Sequence, residues 1–363
     1  MRKHPFLVTA ITLFLFLAFK TVEQDDRYFQ IIKSLDVFTT LFKEVNAYYV
    51  EEINPTELVK IGIDAMLSSL DPYTDYIPED DIEDYRTMTT GEYGGIGAII
   101  EKKGGVNTLV MPYKNAPAIR SGLLIGDQIL KINNVELKGK KAYEISNLLK
   151  SQINSQITLA IKRMDRSEVF EISLETEKIV IKNVSYAGLI NRNIGYIKLT
   201  DFTTNAGEEV GEALRELGQQ GTSKLILDLR GNPGGLLVEA INVANIFIPK
   251  GAEIVSTKGK LEEWTKVYST KNQSIDAKIP LVVLTDQRSA SASEIVAGVI
   301  QDYDRGVLVG RKTYGKGLVQ QTRPLAYNAQ LKVTTAKYYI PSGRCIQAID
   351  YSTESTAKIA DSL

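Results

Sequence analysis

The stretch from Pro280 to Gln321 constrains the fold most, because strand and helix signals alternate in it without a long interruption. An apolar run from Pro280 to Leu284 predicts a buried strand, and the small residues Ser289 to Ser293 follow it as a turn. Apolar residues at helical spacing then predict a helix, with Glu294 in its first turn, where a carboxylate suits the positive end of the helix dipole. A second strand, Gly306 to Gly310, completes a strand–helix–strand unit.

Two residues of this stretch are candidates for catalysis. Ser291 lies in the middle of the small-residue turn, where another chain can approach closely, and Lys316 stands between two glycines, so that no neighbouring side chain crowds its amine. Taken singly, Ser291 is most simply a helix-capping serine and Lys316 a solvated loop lysine. Together, at strand ends of one sheet, they predict a nucleophile and a general base, because active sites collect at such strand ends.

The histidine and cysteine counts exclude most other catalytic chemistries. The only histidine is His4, in the N-terminal segment, and the only cysteine is Cys345. Ser-His-Asp catalysis, histidine-ligated zinc, a cysteine metal cluster and an internal disulfide therefore cannot be built in the folded part of the chain. The sequence predicts neither a metal nor a cofactor. A net charge of −1 gives no indication of a nucleic-acid partner.

A serine–lysine pair works only if the amine is uncharged. A free lysine has a pKa of about 10.4 and is almost fully protonated at neutral pH. Burial of the amine in an apolar pocket disfavours the charged form and lowers this pKa. Neutral Lys316 would then take the proton of Ser291 and return it to the leaving amine.

A second strand–turn–helix unit supplies candidate oxyanion donors. Lys224 to Leu229 predicts a buried strand and Leu236 to Phe247 a helix, and the glycine turn between them presents unpaired N–H groups at the positive end of the helix. A tetrahedral oxyanion needs fixed donors, each worth about 3–4 kcal/mol. We expect these donors to be the N–H of Ala292 and one from Gly234 or Gly235.

The segment Gly310 to Gly317 has the spacing of a phosphate-binding loop, G-x4-G-K-[ST]. Gly317, however, stands where that loop needs a hydroxyl residue to hold magnesium. The following residues, Leu318 to Leu325, show no helical pattern, although a phosphate-binding loop should open a helix. A nucleotide hydrolase is therefore the weakest of the functions considered.

The N-terminal region predicts an exported protein with a helical arm. In residues 1–22, Arg2 and Lys3 precede an apolar run from Phe6 to Phe19, and no Ala-x-Ala site follows. This is the layout of a signal peptide or of an uncleaved N-terminal membrane anchor, with the rest of the chain in the periplasm. Residues 23–90 predict a helical N-terminal arm that packs on the protein or joins two copies as a homodimer.

Residues 91–176 predict a small β-rich domain of five strands and two short helices between turn signals. Before its first strand, a glycine loop could hold a carboxylate with its backbone N–H groups while the strand edge adds a peptide. This domain resembles a PDZ domain of the bacterial, permuted kind, which implies recognition of the free C-terminus of a polypeptide. The resemblance is carried by Gly94, Gly95, Ile96 and Gly97, by Ala116 to Ala118, and by Gly126 to Asn133.

Residues 177–363 predict an α/β core, in which the polar segment Gly251 to Ser274 is expected to be a surface excursion. The informative motifs are DLRGNPGG (228–235), SASASE (289–294), GKGLVQQ (315–321) and SLDPYTDYIPE (69–79). Together with the PDZ-like domain they resemble the C-terminal processing peptidases, also called tail-specific proteases. The resemblance implies a multidomain α/β serine endopeptidase with Ser291 as nucleophile and Lys316 as base. It also implies that Gln320 orients the lysine amine by hydrogen bonding.

Further expectations follow from that resemblance. Tail binding would move the PDZ-like domain and let the site assemble. Arg230, Asn232 and Asp302 match positions near the site in relatives, without an assigned role. Relatives continue well past the stretch Ser342 to Gln347, so the core is expected to lack a C-terminal extension of the family. The alternative function is a catalytically silent peptide-binding scaffold that uses the PDZ-like domain.

Overall fold

A computed structural model describes residues 5–150 and 152–351, with side chains from Asp26 onward except those of residues 142 and 143. The chain divides into two units, Met1–Met66 and Leu67–Leu363. The helices are α1 Pro5–Tyr48, α2 Pro55–Ser68, α3 Ile82–Thr90, α4 Pro117–Arg120, α5 Ala142–Leu149, α6 Ala206–Gln219, α7 Leu237–Phe247 and α8 Ala292–Asp302. The strands are β1 Asp75–Ile77, β2 Glu92–Gly95, β3 Ala98–Lys103, β4 Val106–Pro112, β5 Gln128–Ile132, β6 Val135–Glu136, β7 Gln156–Lys162, β8 Phe170–Glu175, β9 Glu177–Val180, β10 Val184–Asn191, β11 Ile194–Leu199, β12 Lys224–Asp228, β13 Glu253–Gly259, β14 Lys266–Ser269, β15 Leu281–Thr285, β16 Val307–Gly310, β17 Leu318–Pro324 and β18 Gln330–Tyr339.

The first unit contains α1 and most of α2. Asn54 caps α2, because its Oδ1 accepts hydrogen bonds from the N–H groups of Thr56 (3.1 Å) and Glu57 (3.3 Å). Large apolar side chains of α1, such as Leu35 and Phe38, are more than half exposed. Within the described residues, no helix has a stretch long and apolar enough to cross a membrane. The expected export segment, residues 1–22, lies outside the residues whose side chains are described.

The second unit begins with a small β domain. Its sheet has the order β3-β4-β5-β7-β8, with β6 paired to β5, and all neighbours are antiparallel. Leu109, Ile132 and Leu159 are fully buried in its own hydrophobic core, as their alternation along the strands predicts. The strands β2, at the start of the domain, and β9, at its end, pair with each other as an antiparallel ribbon. The predicted strands and helices of this domain are confirmed within a few residues.

The α/β core contains a sheet of order β10-β11-β12-β15-β16, in which β11, β12, β15 and β16 are parallel and β10 is antiparallel. Alternate residues such as Ile197, Leu227 and Val283 are fully buried and belong to one hydrophobic cluster with α6, α7 and α8. Parallel strands bring their carboxyl ends to one edge of a sheet. The turns after β12 and β15, which carry the glycine motif and Ser291, therefore meet at that edge.

A second sheet of the core corrects one expectation from the sequence. The segment Gly251 to Ser274 is not a surface excursion, because β13 and β14 lie in it and pair with each other, and β13 pairs with β18. Thr257 is buried in β13, where its hydroxyl donates to the carbonyl of Trp264 at 2.7 Å. Because hydrogen bonds of this kind satisfy buried polar groups, a polar sequence can form a buried strand. This sheet, of order β1-β18-β13-β14, also holds β17 against β18.

Candidate active site

Ser291 occupies a strained turn between β15 and α8. Its backbone has φ 53° and ψ −112°, a conformation that residues with a side chain rarely adopt and that costs about 1–3 kcal/mol. The turn is held on both sides, since Ala290 N–H donates to the carbonyl of Asn232 (3.0 Å) and Ile295 N–H to that of Ser291 (3.0 Å). Such a sharp strand-to-helix turn is how many hydrolases present a nucleophilic serine. Only 9% of the Ser291 surface is exposed.

Glu294 joins the serine turn to the lysine loop. Its Oε2 accepts hydrogen bonds from the N–H groups of Ser291 and Lys316, both at 2.8 Å, and its Oε1 accepts one from Gly315 at 2.7 Å. The residue is buried, so these three bonds satisfy a carboxylate that water does not reach freely. Sequence reasoning placed Glu294 only at the helix dipole. The acidic residue three positions after a capping serine predicts the bond to Ser291, but no local signal indicates the bonds to the lysine loop.

The amine of Lys316 lies in a partly desolvated pocket. Its Nζ is 4.6 Å from the centroid of the Tyr73 ring. The pKa of Lys316 is lowered, mainly because burial disfavours the charged amine and further because Lys332 carries a like charge. The negative charges of Asp71 and Glu294 act in the opposite direction and raise this pKa. Among the described residues, no hydrogen bond or ion pair involves this Nζ, and none joins it to Ser291 Oγ. In the structure the amine therefore lies over the face of the Tyr73 ring.

The glycines beside Lys316 are required by a close chain crossing. A Cβ on Gly315 would lie 2.4 Å from that of Ala348, and a Cβ on Gly317 would lie 2.1 Å from the backbone nitrogen of Gln347. The crossing is bonded as well, because Gly317 N–H donates to Gln347 Oε1 (2.8 Å) and Ala348 N–H to the carbonyl of Gly315 (3.0 Å). The residues from 346 to 348 therefore fix the position of the lysine loop.

Gln320 lies on β17, close to the lysine loop. Its Nε2 donates to Thr334 Oγ1 at 3.3 Å, and Thr334 N–H donates in turn to Thr74 Oγ1 at 3.2 Å. In this arrangement Gln320 is joined to the turn that carries Tyr73. In the part of the chain described by the structure, no hydrogen bond joins it to Lys316, so its expected role in orienting the amine stays a prediction.

Asp302 lies at the opposite end of α8 from Ser291. Eleven residues of helix correspond to about 16 Å, so its carboxylate is remote from the serine. Asp302 instead accepts a hydrogen bond from Ser342 N–H at 2.9 Å and pairs with Arg344. It therefore anchors the segment that continues into the crossing beside the lysine loop.

The glycine turn after β12 lies directly against the serine turn. A Cβ on Gly234 would approach Ser291 Cβ and the Ala292 nitrogen to 2.8 Å, so only glycine permits this contact. Gly234 N–H donates to Asn232 Oδ1 at 2.8 Å and thereby supports the turn itself. Within the described residues, the N–H groups of Ala292 and Gly235 donate to no acceptor. Of the predicted oxyanion donors, Ala292 and Gly234 thus lie beside Ser291, with the N–H of Gly234 already engaged.

Asp228, the last residue of β12, supports the glycine turn that follows this strand. It is 1% exposed and accepts hydrogen bonds from Arg230 Nε (2.9 Å), Arg230 Nη2 (2.7 Å) and Tyr196 OH (2.6 Å). Burial alone would raise the pKa of Asp228, but the hydrogen bonds from Arg230 and Tyr196 and the charge of Lys198 outweigh it and hold this pKa well below its usual range. The ion pair fixes the first residues of the glycine motif.

Part of the glycine loop of the small β domain, Gly94 to Gly97, belongs to the ribbon formed by β2 and β9. Gly94 and Gly95 lie in β2 and pair with β9, and the Ile96 side chain is buried in the domain core. Gly97 has φ 67° and approaches Ala116 so closely that a Cβ would lie 2.4 Å from that of Ala116. A cavity of about 690 Å³ lies beside Gly94, between α3 and the end of α5.

Comparison with known proteins identifies both domains. The model of peptidase family S41 matches residues 193–354, and that of the PDZ domain matches residues 111–163. A solved structure of a putative S41 protease from Bacteroides fragilis NCTC 9343 covers 76% of this chain and 77% of its own, with a TM-score of 0.50 and 19% identity, which speaks for the fold alone. The molecule is therefore a multidomain α/β protein with a PDZ domain and a serine-protease core of the S41 type, as expected from the sequence.

Two relatives specify the family. A carboxy-terminal-processing protease of Bartonella bacilliformis is 36% identical over 321 residues, which are 87% of this chain and 73% of that protein. A probable CtpA-like serine protease of Staphylococcus aureus (strain MRSA252) is 35% identical over 86% of this chain, which spans 62% of that protein. The chain belongs to the carboxy-terminal-processing protease family of serine-type peptidases.

Proposed function

We propose that this chain is a serine endopeptidase in which Ser291 is the nucleophile and Lys316 the general base, and that it cleaves proteins near their C-termini. One observation carries the proposal. Glu294 accepts hydrogen bonds from the backbone N–H groups of both Ser291 and Lys316, so one carboxylate ties the two candidate residues together. The lowered pKa of Lys316 suits a base that must be neutral to act.

The chemistry follows from these positions. Neutral Lys316 accepts the hydroxyl proton of Ser291 while Oγ bonds to the scissile carbonyl carbon. The oxyanion that forms accepts hydrogen bonds from Ala292 N–H and from Gly235 N–H, because Gly234 N–H is already bonded to Asn232. The lysine then donates its proton to the leaving amine, and an acyl-enzyme remains. Water, deprotonated by the same amine, adds to the acyl carbon, and the amine returns this proton to Oγ as the acyl–Oγ bond breaks and the new C-terminus and Ser291 are released.

The PDZ domain supports a role for the substrate tail. We propose that the free C-terminus of a protein or peptide binds at the loop formed by Gly94, Gly95, Ile96 and Gly97, which precedes the edge strand β3. Tail binding would shift the domain and let the site assemble. Export to the periplasm, by a signal peptide or membrane anchor, and a homodimer formed through the N-terminal helices belong to the same proposal.

A cleavage assay on an unstructured protein tests the catalytic pair. We expect S291A and K316A each to lower the cleavage rate by at least about a thousandfold, because nucleophile and base act as one unit. K312A, which changes an exposed lysine of the same loop, should cleave at the wild-type rate. Mass spectrometry of the products locates the cuts, which should cluster near the substrate C-terminus.

The alternative, a silent peptide-binding scaffold, makes the opposite forecast. In that case the wild-type chain binds C-terminal peptides, measured by fluorescence anisotropy, but cleaves no faster than S291A. Unchanged cleavage by K316A would instead show that another group is the base.

A further inference from the structure

Tyr73 is held in place by a tight turn at the edge of the second sheet. Asp71, which is buried, accepts hydrogen bonds at Oδ1 from the N–H groups of Tyr73 and Thr74, both at 2.8 Å, and at Oδ2 from Thr74 Oγ1 at 3.0 Å. The following strand, β1, pairs with β18, with Asp75 opposite Lys332. The hydrogen bonds to Asp71 and the strand that follows hold the backbone of Tyr73 in this turn.

The ring of Tyr73 is fixed by two other tyrosines. It meets the ring of Tyr351 edge-on, with centroids 6.1 Å apart and planes at 80°. Its hydroxyl lies 3.5 Å from that of Tyr314, two residues before Lys316. Aromatic contacts of this kind hold a ring in one orientation. Lys316 Nζ lies over the face of this ring, 4.6 Å from its centroid.

The charges that act on this amine come from three elements. Lys332 on β18 disfavours the ammonium form of Lys316, whereas Asp71 in the Tyr73 turn and Glu294 in α8 favour it, and burial disfavours it most. The π face of Tyr73 adds a further attraction for a cation, which strengthens as water is excluded. The π face has no acceptor lone pair of the kind that a carboxylate has. The amine of Lys316 can therefore move from the ring to another hydrogen-bonding partner, such as Ser291.

We propose that Tyr73 is a positioning residue for Lys316: its ring face holds the resting lysine as an ammonium ion, and the amine becomes the base when it leaves the ring for Ser291. The inference rests on the proposed role of Lys316 as general base and extends it to a residue of the N-terminal SLDPYTDYIPE motif. No local sequence pattern indicates this contact, because Tyr73 and Lys316 are brought together only by the pairing of β1, β17 and β18.

The test measures the protonation of Lys316 directly and needs no catalysis. The full chain carrying S291A is labelled with lysine that is carbon-13 enriched at Cε, and the Lys316 signal, assigned by its absence in K316M, is titrated by NMR. Y73L keeps an apolar side chain over the amine but removes the π face, so the pKa of Lys316 should fall by roughly half to one and a half units. Y73F keeps the ring and should leave the pKa unchanged.

A control variant and three test variants separate the effect of the Tyr73 ring from other effects on the pKa of Lys316. Y76L, which removes a neighbouring tyrosine of β1, should not move the pKa of Lys316, and Y73M repeats the measurement if Y73L does not fold. An unchanged or raised pKa in Y73L or Y73M overturns the proposal, since it would mean that the side chain only covers the amine. A shift in Y73F as large as that in Y73L overturns it too, because the hydroxyl would then be responsible.

A second readout uses the active chain. The acid limb of kcat/KM reports the pKa of the base in the free enzyme. In Y73L we expect this limb to move to lower pH by the shift seen in the titration, with KM unchanged. If the wild-type chain shows no cleavage, the catalytic proposal fails while the titration still decides the role of Tyr73.

Discussion

At the scale of single residues, Glu294 is the group on which the geometry of the site depends most. Its carboxylate accepts hydrogen bonds from the N–H groups of Ser291, Gly315 and Lys316. We expect E294Q to lower kcat by about 10- to 100-fold, because an amide has one acceptor oxygen and leaves at least one buried N–H unsatisfied. Loss of its charge also removes an interaction that favours the ammonium form, so the acid limb of kcat/KM should move to lower pH.

The matched control for this prediction is E208Q, since Glu208 is an exposed glutamate in the first turn of α6. It should retain the wild-type rate and pH profile. Steady-state kinetics between about pH 5 and 9 measure both effects. Wild-type kcat in E294Q would mean that the loop and the turn are positioned independently of this carboxylate.

The sequence was informative about individual residues where their signals are local. A small-residue turn after a strand and a lysine between glycines are visible in a short window of sequence, so local patterns indicate Ser291 and Lys316 as candidates. No local pattern indicates Tyr73, and the sequence indicates Glu294 only by its place in the first turn of the helix. Their contacts join segments far apart in the chain, which no local pattern encodes.

At the scale of elements, the crossing of residues 346 to 348 over the lysine loop decides where Lys316 can lie. A Cβ at position 317 would lie 2.1 Å from the nitrogen and 2.8 Å from the Cα of Gln347. Because both are backbone atoms, a change of side-chain rotamer cannot relieve the clash. We expect G317A to force the two segments apart, with a loss of about 1–3 kcal/mol in stability and a marked fall in kcat. Thermal unfolding and the cleavage assay measure these effects.

Gly218 offers the control for that substitution. It lies in α6 with ordinary helical φ and open space around it, so G218A should keep full activity and stabilise the protein by up to about 1 kcal/mol. If G317A cleaves like the wild type, the crossing does not position the lysine loop.

Elements were predicted well where apolar residues set the period. The strands of the parallel sheet and its three helices follow buried residues such as Leu227 and Val283, whose spacing is visible in the sequence. The sequence does not predict β13 and β14, because Thr257, which is buried in β13, is polar and because β18, with which β13 pairs, comes much later in the chain. Pairing of distant strands, rather than local composition, makes this segment regular.

At the scale of the whole molecule, the Asp228 ion pair couples stability to pH. Because the pKa of Asp228 in the folded state is held below its unfolded value of about 3.9, its contribution is fully present above that value and is lost as pH falls below it. D228N should therefore be less stable than the wild type by about 1–3 kcal/mol at pH 7, because the charge-assisted hydrogen bonds of the buried carboxylate are weakened while Arg230 and Lys198 remain accessible to water. The difference should shrink as pH falls below about 4.

Urea unfolding of both proteins at pH 7 and near pH 3 measures this difference, with m-values checked for a common transition. D80N, which alters an exposed aspartate, is the control and should match the wild type at both pH values. The two sheets and three helices of the core share one hydrophobic cluster, so loss of the ion pair should lower the unfolding midpoint of the core as a unit. A stability difference that stays constant with pH would show that packing of the side chain, and not its ionisation, links Asp228 to the fold.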